Sequence, residues 1–317
     1  MPIRIPDTLP ATGILESENI FVMTEYRAIH QDIRPLRVLI LNLMPSKIET
    51  ETMILRKLSN SPLQVNIELL RTESNASGKQ MEHMRDFYVT LDEIRSKHYD
   101  GMIITGSPVD AQNFEDVGFW PELCEIFEWA KTQVFSTFYI SWSAQAGIYY
   151  HFGVKNRPLD IPLLGVFPHK VVKASSPLVR GVNDLVWVPR AQDFIVDAAD
   201  ITANRELELV IAGDDAGVYV AKSTDSRHFF VFGHPEYEGD TFALQYRREI
   251  EAGGAPKMPQ NYFPDDDPTA KPLAYWRSDG QLIYTNWLNY YVYQATPYDI
   301  DSLSMGFPNA GSGRFLF

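Results

Sequence analysis

Three side chains that could act as a nucleophile, a base and the partner of that base follow short apolar runs of the sequence. Ser141 comes directly after the apolar run 138–140, and a helix rich in small residues is predicted to begin at Ala144. A residue between a strand and a helix lies on a tight turn, and the backbone N–H groups after it can hold an oxyanion. Ser141 is therefore a candidate nucleophile, with the backbone of Trp142 as oxyanion donor. A serine that caps the helix fits the same pattern.

His234 and Glu236 are a candidate base and its partner. His234 follows the apolar run 230–232, and Glu236 comes two residues later. A base beside a nucleophile must be oriented by a third group, and a carboxylate at this spacing can accept from the ring N–H. A core histidine bonded to the backbone is the alternative for His234. Because both segments end predicted strands of one sheet, the sequence favours a Ser141–His234–Glu236 site.

The elements that would position these residues alternate between apolar runs and helical patterns. Buried strands are predicted at residues 37–43, 64–70, 101–105 and 134–140. Helices are predicted at 48–58 and 121–131. This alternation predicts an α/β fold with a mostly parallel sheet flanked by helices. Ligands of such sheets bind at the carboxyl ends of the strands.

The second half of the chain is richer in predicted strands. They cover residues 185–189, 207–212, 217–222 and 228–232, and a hairpin turn at 213–217 indicates additional antiparallel strands. A helix at 240–251, a surface loop at 253–267 and a closing helix at 282–293 follow. We predict a single domain over residues 1–300, with a short N-terminal arm at about 1–35. Residues 301–317 are predicted to form a flexible tail.

Composition limits the function classes. The 317 residues include 41 acidic and 28 basic side chains, for a net charge of −13. This balance argues against nucleic acid and anionic membrane as partners, since both need clustered Lys and Arg. The amino-terminal residues carry no apolar segment typical of export, so a cytoplasmic location is expected. Cys124 is the only cysteine, which excludes an internal disulfide, and its helical pattern predicts a buried position.

Longer motifs make the chain resemble the homoserine O-acyltransferases, relatives of the class I glutamine amidotransferases. The motifs lie at residues 1–6, 18–24, 31–36, 41–51, 103–106, 144–147, 165–169, 233–237 and 286–299. Their length and order cover most of the chain. The resemblance implies a class I glutamine-amidotransferase-like (flavodoxin-like) fold and a homodimer.

The resemblance also implies an activity. In the family, a cysteine takes an acyl group from acyl-CoA as a thioester, and a His–Glu pair activates the hydroxyl of homoserine. By position, His234 is the general base and Glu236 orients it. Arg248 falls where an arginine binds the acceptor amino acid, and Lys47 is a candidate pocket residue or a solvated lysine. Acetyl-CoA or succinyl-CoA is the implied co-substrate, and no permanently bound cofactor or metal is implied.

Several positions depart from the family pattern. Ser141 stands at the cysteine, Ser143 at a glycine, Pro162 at a lysine, Ala191 at a substrate-binding serine and Gln245 at a glutamate. Losing a cation and a hydroxyl changes which polar groups of a ligand can be satisfied, at about 1–3 kcal/mol for a buried donor. An engineered Cys→Ser change could explain position 141 alone. The other changes favour natural divergence.

These departures leave several functions open. Serine depends on His234 to take its proton during attack, and its oxyester reacts less readily with an alcohol than a thioester does. The leading hypothesis is an acyl-CoA-dependent O-acyltransferase acting on homoserine or a related hydroxy amino acid. An inactive or ligand-binding variant and an esterase-type hydrolase are the alternatives. Asp110 stands where an acidic residue accompanies acetyl transfer, and its charge would repel a succinyl carboxylate, so acetyl-CoA is favoured.

Overall fold

The computed structural model describes residues 4–5, 23–24, 34–74, 81–109, 113–297 and 300. Two short strands, Arg4–Ile5 (β1) and Met23–Thr24 (β2), pair in parallel. Most of the predicted arm, the candidate residue Asp110 and the predicted tail at 301–317 lie outside the described residues.

The first half of the chain builds the parallel part of a ten-stranded sheet. Its strands are Leu36–Leu41 (β3), Val65–Leu70 (β4), Tyr88–Val89 (β5), Tyr99–Ile104 (β6) and Val134–Ile140 (β7). Its helices are Lys47–Ser59 (α1), Met81–Phe87 (α2), Leu91–Ile94 (α3), Trp120–Gln133 (α4) and Trp142–Phe152 (α5). All residues of β6 are buried because helices cover both faces of the sheet.

The second half adds the antiparallel part. Its strands are Arg157–Val171 (β8), Leu185–Ile195 (β9), Leu207–Gly213 (β10), Gly217–Ser223 (β11) and His228–Val231 (β12). The helices are Ala198–Ala203 (α6), Thr241–Glu251 (α7) and Arg277–Asn286 (α8), which continues as a π-helix at Trp287–Tyr293. Short 3₁₀ turns occupy Phe114–Asp116, Pro177–Val179 and Pro264–Asp266.

The strand order is β5-β4-β3-β6-β7-β12-β11-β10-β8-β9. Pairing is parallel from β5 to β12 and antiparallel from β12 to β9. Strand β12 joins the two parts, since it pairs in parallel with β7 and antiparallel with β11. The predicted α/β class, with a mostly parallel sheet and additional antiparallel strands, is confirmed.

Four local features differ from the predictions. The long strand β8 was not predicted, because its prolines interrupt the apolar pattern and the register with β9 shifts between Pro158 and Leu163. The closing helix begins at Arg277, earlier than expected. The predicted surface loop at 253–267 buries Tyr262 and Phe263. Cys124 lies on α4 as predicted but is half-buried.

A buried histidine pair lies beside β7 and β12. The hydroxyl of Tyr139 bonds to His151 Nε2 at 2.9 Å and to His228 Nδ1 at 3.1 Å. The two imidazole rings lie 4.4 Å apart between centroids. Burial, helped by His228, lowers the pKa of His151 to about 2, and burial beside Arg227 lowers the pKa of His228 to about 3. Both rings are therefore neutral near pH 7.

This pair predicts a loss of stability in mild acid. The unfolded chain protonates each histidine below its ordinary pKa, whereas the folded chain does not, so the free energy of unfolding falls as pH drops through that value. The expected loss is about 1.4 kcal/mol per histidine at one pH unit below the ordinary pKa. Denaturant unfolding at about pH 8 and about pH 5.5 measures it. His228→Gln should reduce the difference between the two pH values; an unchanged difference contradicts the prediction.

No helix within the described ranges is long and apolar enough to cross a membrane.

Candidate active site

Ser141 occupies a strained turn between β7 and α5. Its backbone adopts φ 55° and ψ −114°, a conformation that non-glycine residues rarely take. The Ser141 N–H donates to the Val231 carbonyl at 2.7 Å, which ties the turn to the end of β12. The side chain is buried. A residue held in such a conformation by the surrounding structure is typical of functional sites.

Ser143 supports this turn from behind. Its hydroxyl donates to the Ile104 carbonyl at 2.8 Å and accepts from the Ile140 N–H at 3.0 Å. These bonds join the ends of β6 and β7. Ser143 is completely buried. The serine at this position therefore contributes to the geometry of the turn rather than to the surface that a ligand meets.

His234 and Glu236 form a buried pair just beyond β12. His234 Nδ1 lies 2.7 Å from Glu236 Oε1, and the His234 N–H donates to the Pro189 carbonyl at 2.9 Å. The imidazole stacks on the Tyr237 ring at 4.1 Å between centroids. Because Nδ1 faces the carboxylate, Nε2 points away from it. Contacts on the backbone, ring face and ring edge therefore fix the orientation of the imidazole.

Gly106 lies between Ser141 and His234. A methyl group built on Gly106 would be 3.4 Å from Ser141 Cβ and 3.5 Å from His234 Cε1. The two side chains therefore flank the same point, at the carboxyl ends of β6, β7 and β12. The importance of Gly106 was not predicted, although a glycine directly after a buried strand was a visible signal.

A cavity of about 350 Å³ opens beside Ser141. Five of the residues singled out from the sequence line it, namely Ser141, Trp142, Pro162, Ala191 and Gln245. The volume suits a small ligand. Residues from α5, β8 and β9 meet here, although they are far apart in the sequence. The structure thus places the nucleophile candidate and three further altered positions around one space.

The sequence did not reveal the amide character of this cavity. Gln145, Asn156 and Gln192 line it together with Gln245, and Asn156 Nδ2 donates to Gln145 Oε1 at 2.9 Å. Asp193 carries the only formal charge among the described lining residues. A ligand at this surface therefore meets neutral hydrogen-bonding groups and a single carboxylate.

A buried arginine lies behind the cavity wall. Arg190 donates to Gln192 Oε1 at 2.7 Å and to the Val218 carbonyl at 2.8 Å, and it lies 3.2 Å from His169 Nε2. Burial lowers the pKa of Arg190 to about 9, and burial beside Arg190 lowers the pKa of His169 to about 3. No carboxylate in the described ranges pairs with Arg190. Its donors instead hold Gln192 in place.

Lys47 and Arg248, the two basic side chains predicted at the site, do not line this cavity. Lys47 is buried and donates to the Asn42 carbonyl at 2.6 Å, and burial lowers its pKa to about 8. Arg248 on α7 is exposed and pairs with Glu49 at 3.7 Å. Asp110 lies outside the described residues, although Val109 lines the cavity. Within the described ranges, no cluster of His, Cys, Asp or Glu could hold a metal ion.

Comparison with known proteins places the chain in a family. A sequence model described as "HTS: Homoserine O-succinyltransferase" matches residues 2–298. The chain belongs to this family. The homoserine O-acetyltransferase of Methanomethylophilus alvi is 50% identical over 304 residues, which are 96% of this chain and 98% of that protein. The homoserine O-succinyltransferase of Shewanella pealeana is 47% identical over 305 residues, or 96% of this chain and 97% of that protein.

Solved structures share the fold of this family member. A glutamine amidotransferase from Thermotoga maritima matches with a TM-score of 0.53 and 14% identity, over 81% of this chain and 98% of that one. One from Methylobacillus flagellatus matches with a TM-score of 0.51 and 11% identity, over 81% and 95% of the two chains. The expected class I glutamine-amidotransferase-like fold is thereby confirmed.

Proposed function

We propose that this chain is an acyl-CoA-dependent O-acyltransferase that acylates homoserine. In this proposal Ser141 is the nucleophile, His234 is the general base and Glu236 orients His234. The observation that carries the proposal is the position of Ser141 and His234 on either side of Gly106, next to the cavity. Relatives that match nearly the whole chain bear the names homoserine O-acetyltransferase and O-succinyltransferase, which supports the same substrates.

The first proposed step transfers the acyl group to the enzyme. Ser141 Oγ attacks the thioester carbonyl of acyl-CoA while His234 Nε2 takes the hydroxyl proton. The backbone N–H of Trp142 is the proposed donor to the oxyanion. The carbon–sulfur bond then breaks, and the imidazolium returns the proton to the leaving CoA thiolate. The products of this step are an ester on Ser141 and free CoA.

The second proposed step transfers the acyl group to the acceptor. His234 Nε2 takes the proton of the homoserine hydroxyl, whose oxygen attacks the ester on Ser141. Ser141 Oγ leaves and recovers the proton from the imidazolium. Since an ester is exchanged for an ester, this step lacks the driving force of thioester cleavage. We therefore expect the acylated enzyme to accumulate when acyl-CoA is supplied without homoserine.

Acceptor binding is proposed to involve Arg248 on α7. Gln245 lies three residues earlier on the same helix and lines the cavity. Side chains at this spacing share a helix face, so the Arg248 guanidinium can serve a carboxylate at the cavity mouth after releasing Glu49. Lys47 is a weaker proposal, because its ammonium donates to Asn42. A homodimer and a cytoplasmic location are further proposals from the family resemblance.

The donor is proposed to be acetyl-CoA. Asp193 would repel a succinyl carboxylate, and no described lining residue offers a cation to bind it. Asp110 directly follows the lining residue Val109 in the sequence, and the family resemblance associates an acidic residue at this position with acetyl transfer. An acetyl group carries no charge, so these carboxylates do not repel it and it needs no cation.

Intact-mass analysis tests the proposed function directly. The protein is incubated with acetyl-CoA or succinyl-CoA, with and without homoserine. An acetyl adduct that homoserine discharges supports the transferase. An adduct that water removes at the same rate in the absence of homoserine indicates an esterase-type hydrolase. If no adduct forms on the natural chain or on Ser141→Cys, the acyltransferase proposal is rejected and a ligand-binding protein takes its place.

A charge reversal tests the donor preference. In Asp193→Lys, a succinyl carboxylate gains a cation, so kcat/KM for succinyl-CoA should rise relative to acetyl-CoA by roughly tenfold at low ionic strength. Asp200→Lys makes the same charge change on α6, away from the cavity lining, and should leave the ratio unchanged. If the ratio of kcat/KM for succinyl-CoA to kcat/KM for acetyl-CoA is the same in both variants, Asp193 does not determine the choice of donor.

A further inference from the structure

The chain segment that carries His234 also contacts the nucleophile turn. The Val231 carbonyl, at the end of β12, accepts from the Ser141 N–H at 2.7 Å. Three residues later, the His234 N–H donates to the Pro189 carbonyl on β9 at 2.9 Å. Because one short segment, residues 231–234, connects to both groups, a shift of this segment would move the candidate base relative to the candidate nucleophile.

Main-chain contacts hold part of this segment against the neighbouring strands. The Phe232 N–H donates to the Tyr219 carbonyl on β11 at 2.8 Å. A methyl group built on Gly233 would lie 2.3 Å from Val188 Cγ1, so only a glycine allows this close approach to β9. These contacts do not involve the Phe232 carbonyl, which is held by a side chain instead.

The Gln192 side chain holds the Phe232 carbonyl. Gln192 Nε2 donates to this oxygen, while Gln192 Oε1 accepts from Arg190 Nη2 at 2.7 Å and from Arg190 Nε at 3.0 Å. A guanidinium only donates and a carbonyl only accepts, so a single orientation of the amide satisfies both neighbours. Arg190 therefore determines which end of the amide faces Phe232.

Arg190 is itself fixed on its other side. Its Nη1 donates to the Val218 carbonyl and lies 3.2 Å from His169 Nε2. His169 Nδ1 lies 2.9 Å from the Phe167 carbonyl, which assigns the ring proton to Nδ1 and leaves Nε2 as an acceptor for Arg190. Arg190 is 1% exposed and Gln192 is 7% exposed. A buried guanidinium with acceptors on both sides gives the amide a rigid support.

Glutamine is well suited to join these two partners. Glutamate could accept from Arg190 but, ionised beside the guanidinium, would have no proton to donate to the Phe232 carbonyl. A basic side chain at position 192 could donate to that carbonyl but could not accept from Arg190. The two contacts of Gln192 can therefore be separated by substitution, because glutamate keeps one of them and loses the other.

We propose that Arg190 and Gln192 are positioning residues that fix the segment carrying His234 and so hold the imidazole in place relative to Ser141. This inference rests on the proposed function, in which the proton of Ser141 Oγ passes to His234. The contacts run from the guanidinium through the amide to the Phe232 carbonyl, two residues before His234. Arg190 is not among the lining residues of the cavity, so its effect on transfer passes through Gln192.

Gln192→Glu separates the two contacts. The carboxylate retains Arg190 as its partner, so thermal unfolding should show a stability close to that of the natural chain. The donor to the Phe232 carbonyl is lost, and two oxygens then face each other, which should displace the segment. We expect the rate of enzyme acylation at saturating acetyl-CoA to fall by roughly tenfold beyond the effect of the added charge, because the reacting groups are misplaced. Single-turnover intact-mass measurements give this rate.

Gln145→Glu is the matched control for the added charge. Gln145 is a buried glutamine of the same cavity, and it too donates to a carbonyl, that of Phe194, at 3.1 Å while accepting from Asn156. Neither of these side-chain hydrogen bonds reaches residues 231–234. The acylation rate of this variant measures the effect of a carboxylate in the cavity, and the rate of Gln192→Glu should be roughly tenfold lower.

Arg190→Met tests the support without adding a charge to the cavity lining. The amide of Gln192 loses the group that sets its orientation, so kcat should fall by roughly fivefold with KM for acetyl-CoA unchanged. Arg190→Lys returns a donor to Gln192 Oε1 and should restore part of kcat. A purely structural role predicts instead that kcat in both variants changes only with the fraction of folded protein, which thermal unfolding measures.

The ring of His234 reports the position of the segment without any substrate. In NMR spectra of protein labelled with ¹⁵N-histidine, assigned with His234→Gln, the His234 signal should shift in Gln192→Glu and stay unchanged in Gln145→Glu. If this shift occurs but the natural chain transfers no acyl group, the positioning role stands and the proposed function falls. An unshifted signal in Gln192→Glu, or active enzyme in which both glutamate variants are acylated equally fast, overturns the positioning role.

Discussion

Ser141→Ala is expected to abolish the acyl adduct and to lower acyl transfer by roughly a thousandfold or more, because the proposed ester forms on the Ser141 hydroxyl. The turn places this hydroxyl at the end of β7, where Ser141 and His234 both adjoin Gly106. Intact-mass analysis and peptide mapping after incubation with acetyl-CoA measure the effect. The adduct of the natural chain should map to the peptide that contains Ser141.

Ser141→Cys provides the matched comparison. The thiol should form a thioester, which homoserine discharges more readily than the ester on Ser141. Neutral hydroxylamine should remove the thioester faster than the ester, which identifies the bond. An adduct of normal yield on Ser141→Ala would show that acylation occurs elsewhere and would remove Ser141 from the mechanism.

His234→Ala is expected to lower the rate of enzyme acylation by roughly a thousandfold, because serine needs a base to take its proton during attack. Single-turnover mass measurements with acetyl-CoA give the rate without the acceptor step. Added imidazole should restore part of the rate, since the space left by the side chain adjoins Ser141 and Gly106.

His228→Gln is the control for the loss of a buried imidazole. His228 is the first residue of β12, whereas His234 follows the last residue of that strand, Val231. The two histidines therefore lie toward opposite ends of the same strand. The control should retain normal acylation at about pH 8, where the buried histidine pair is neutral in the folded chain and in the unfolded chain. If His234→Ala is acylated as fast as the unsubstituted chain, His234 is not the base.

Short-range patterns in the sequence determined the strands that carry the site. The run at 134–140 predicted β7 with the bounds that the structure has, because seven apolar or β-favouring residues end at a turn. The end of β7 located Ser141, and the similar run before His234 located the base. The pair His234–Glu236 was predicted from a spacing of two residues, and the hydrogen bond between them has the expected partners. Their catalytic roles remain predictions.

Other parts of the site depend on contacts between distant segments. Strand β8 was missed because its prolines disguise the pattern, yet it supplies Pro162 to the cavity. The isolated positions Gln145, Asn156 and Asp193 gave no local signal, since each becomes part of a lining when α5, β8 and β9 meet. Conversely, Arg248 was expected near the ligand from its position in a motif, but the structure places it with Glu49 at the surface.

The sequence by itself determined the α/β class, the approximate positions of the central strands and the identity of the Ser141, His234 and Glu236 candidates. These features follow from apolar periodicity and from residue types at strand ends, which are local properties of the chain. The tertiary structure alone decided which residues line the cavity and that Asp193 carries the only formal charge among those described. Those features arise from side chains far apart in the sequence, and only packing brings such groups within the few ångströms over which charges and hydrogen bonds act.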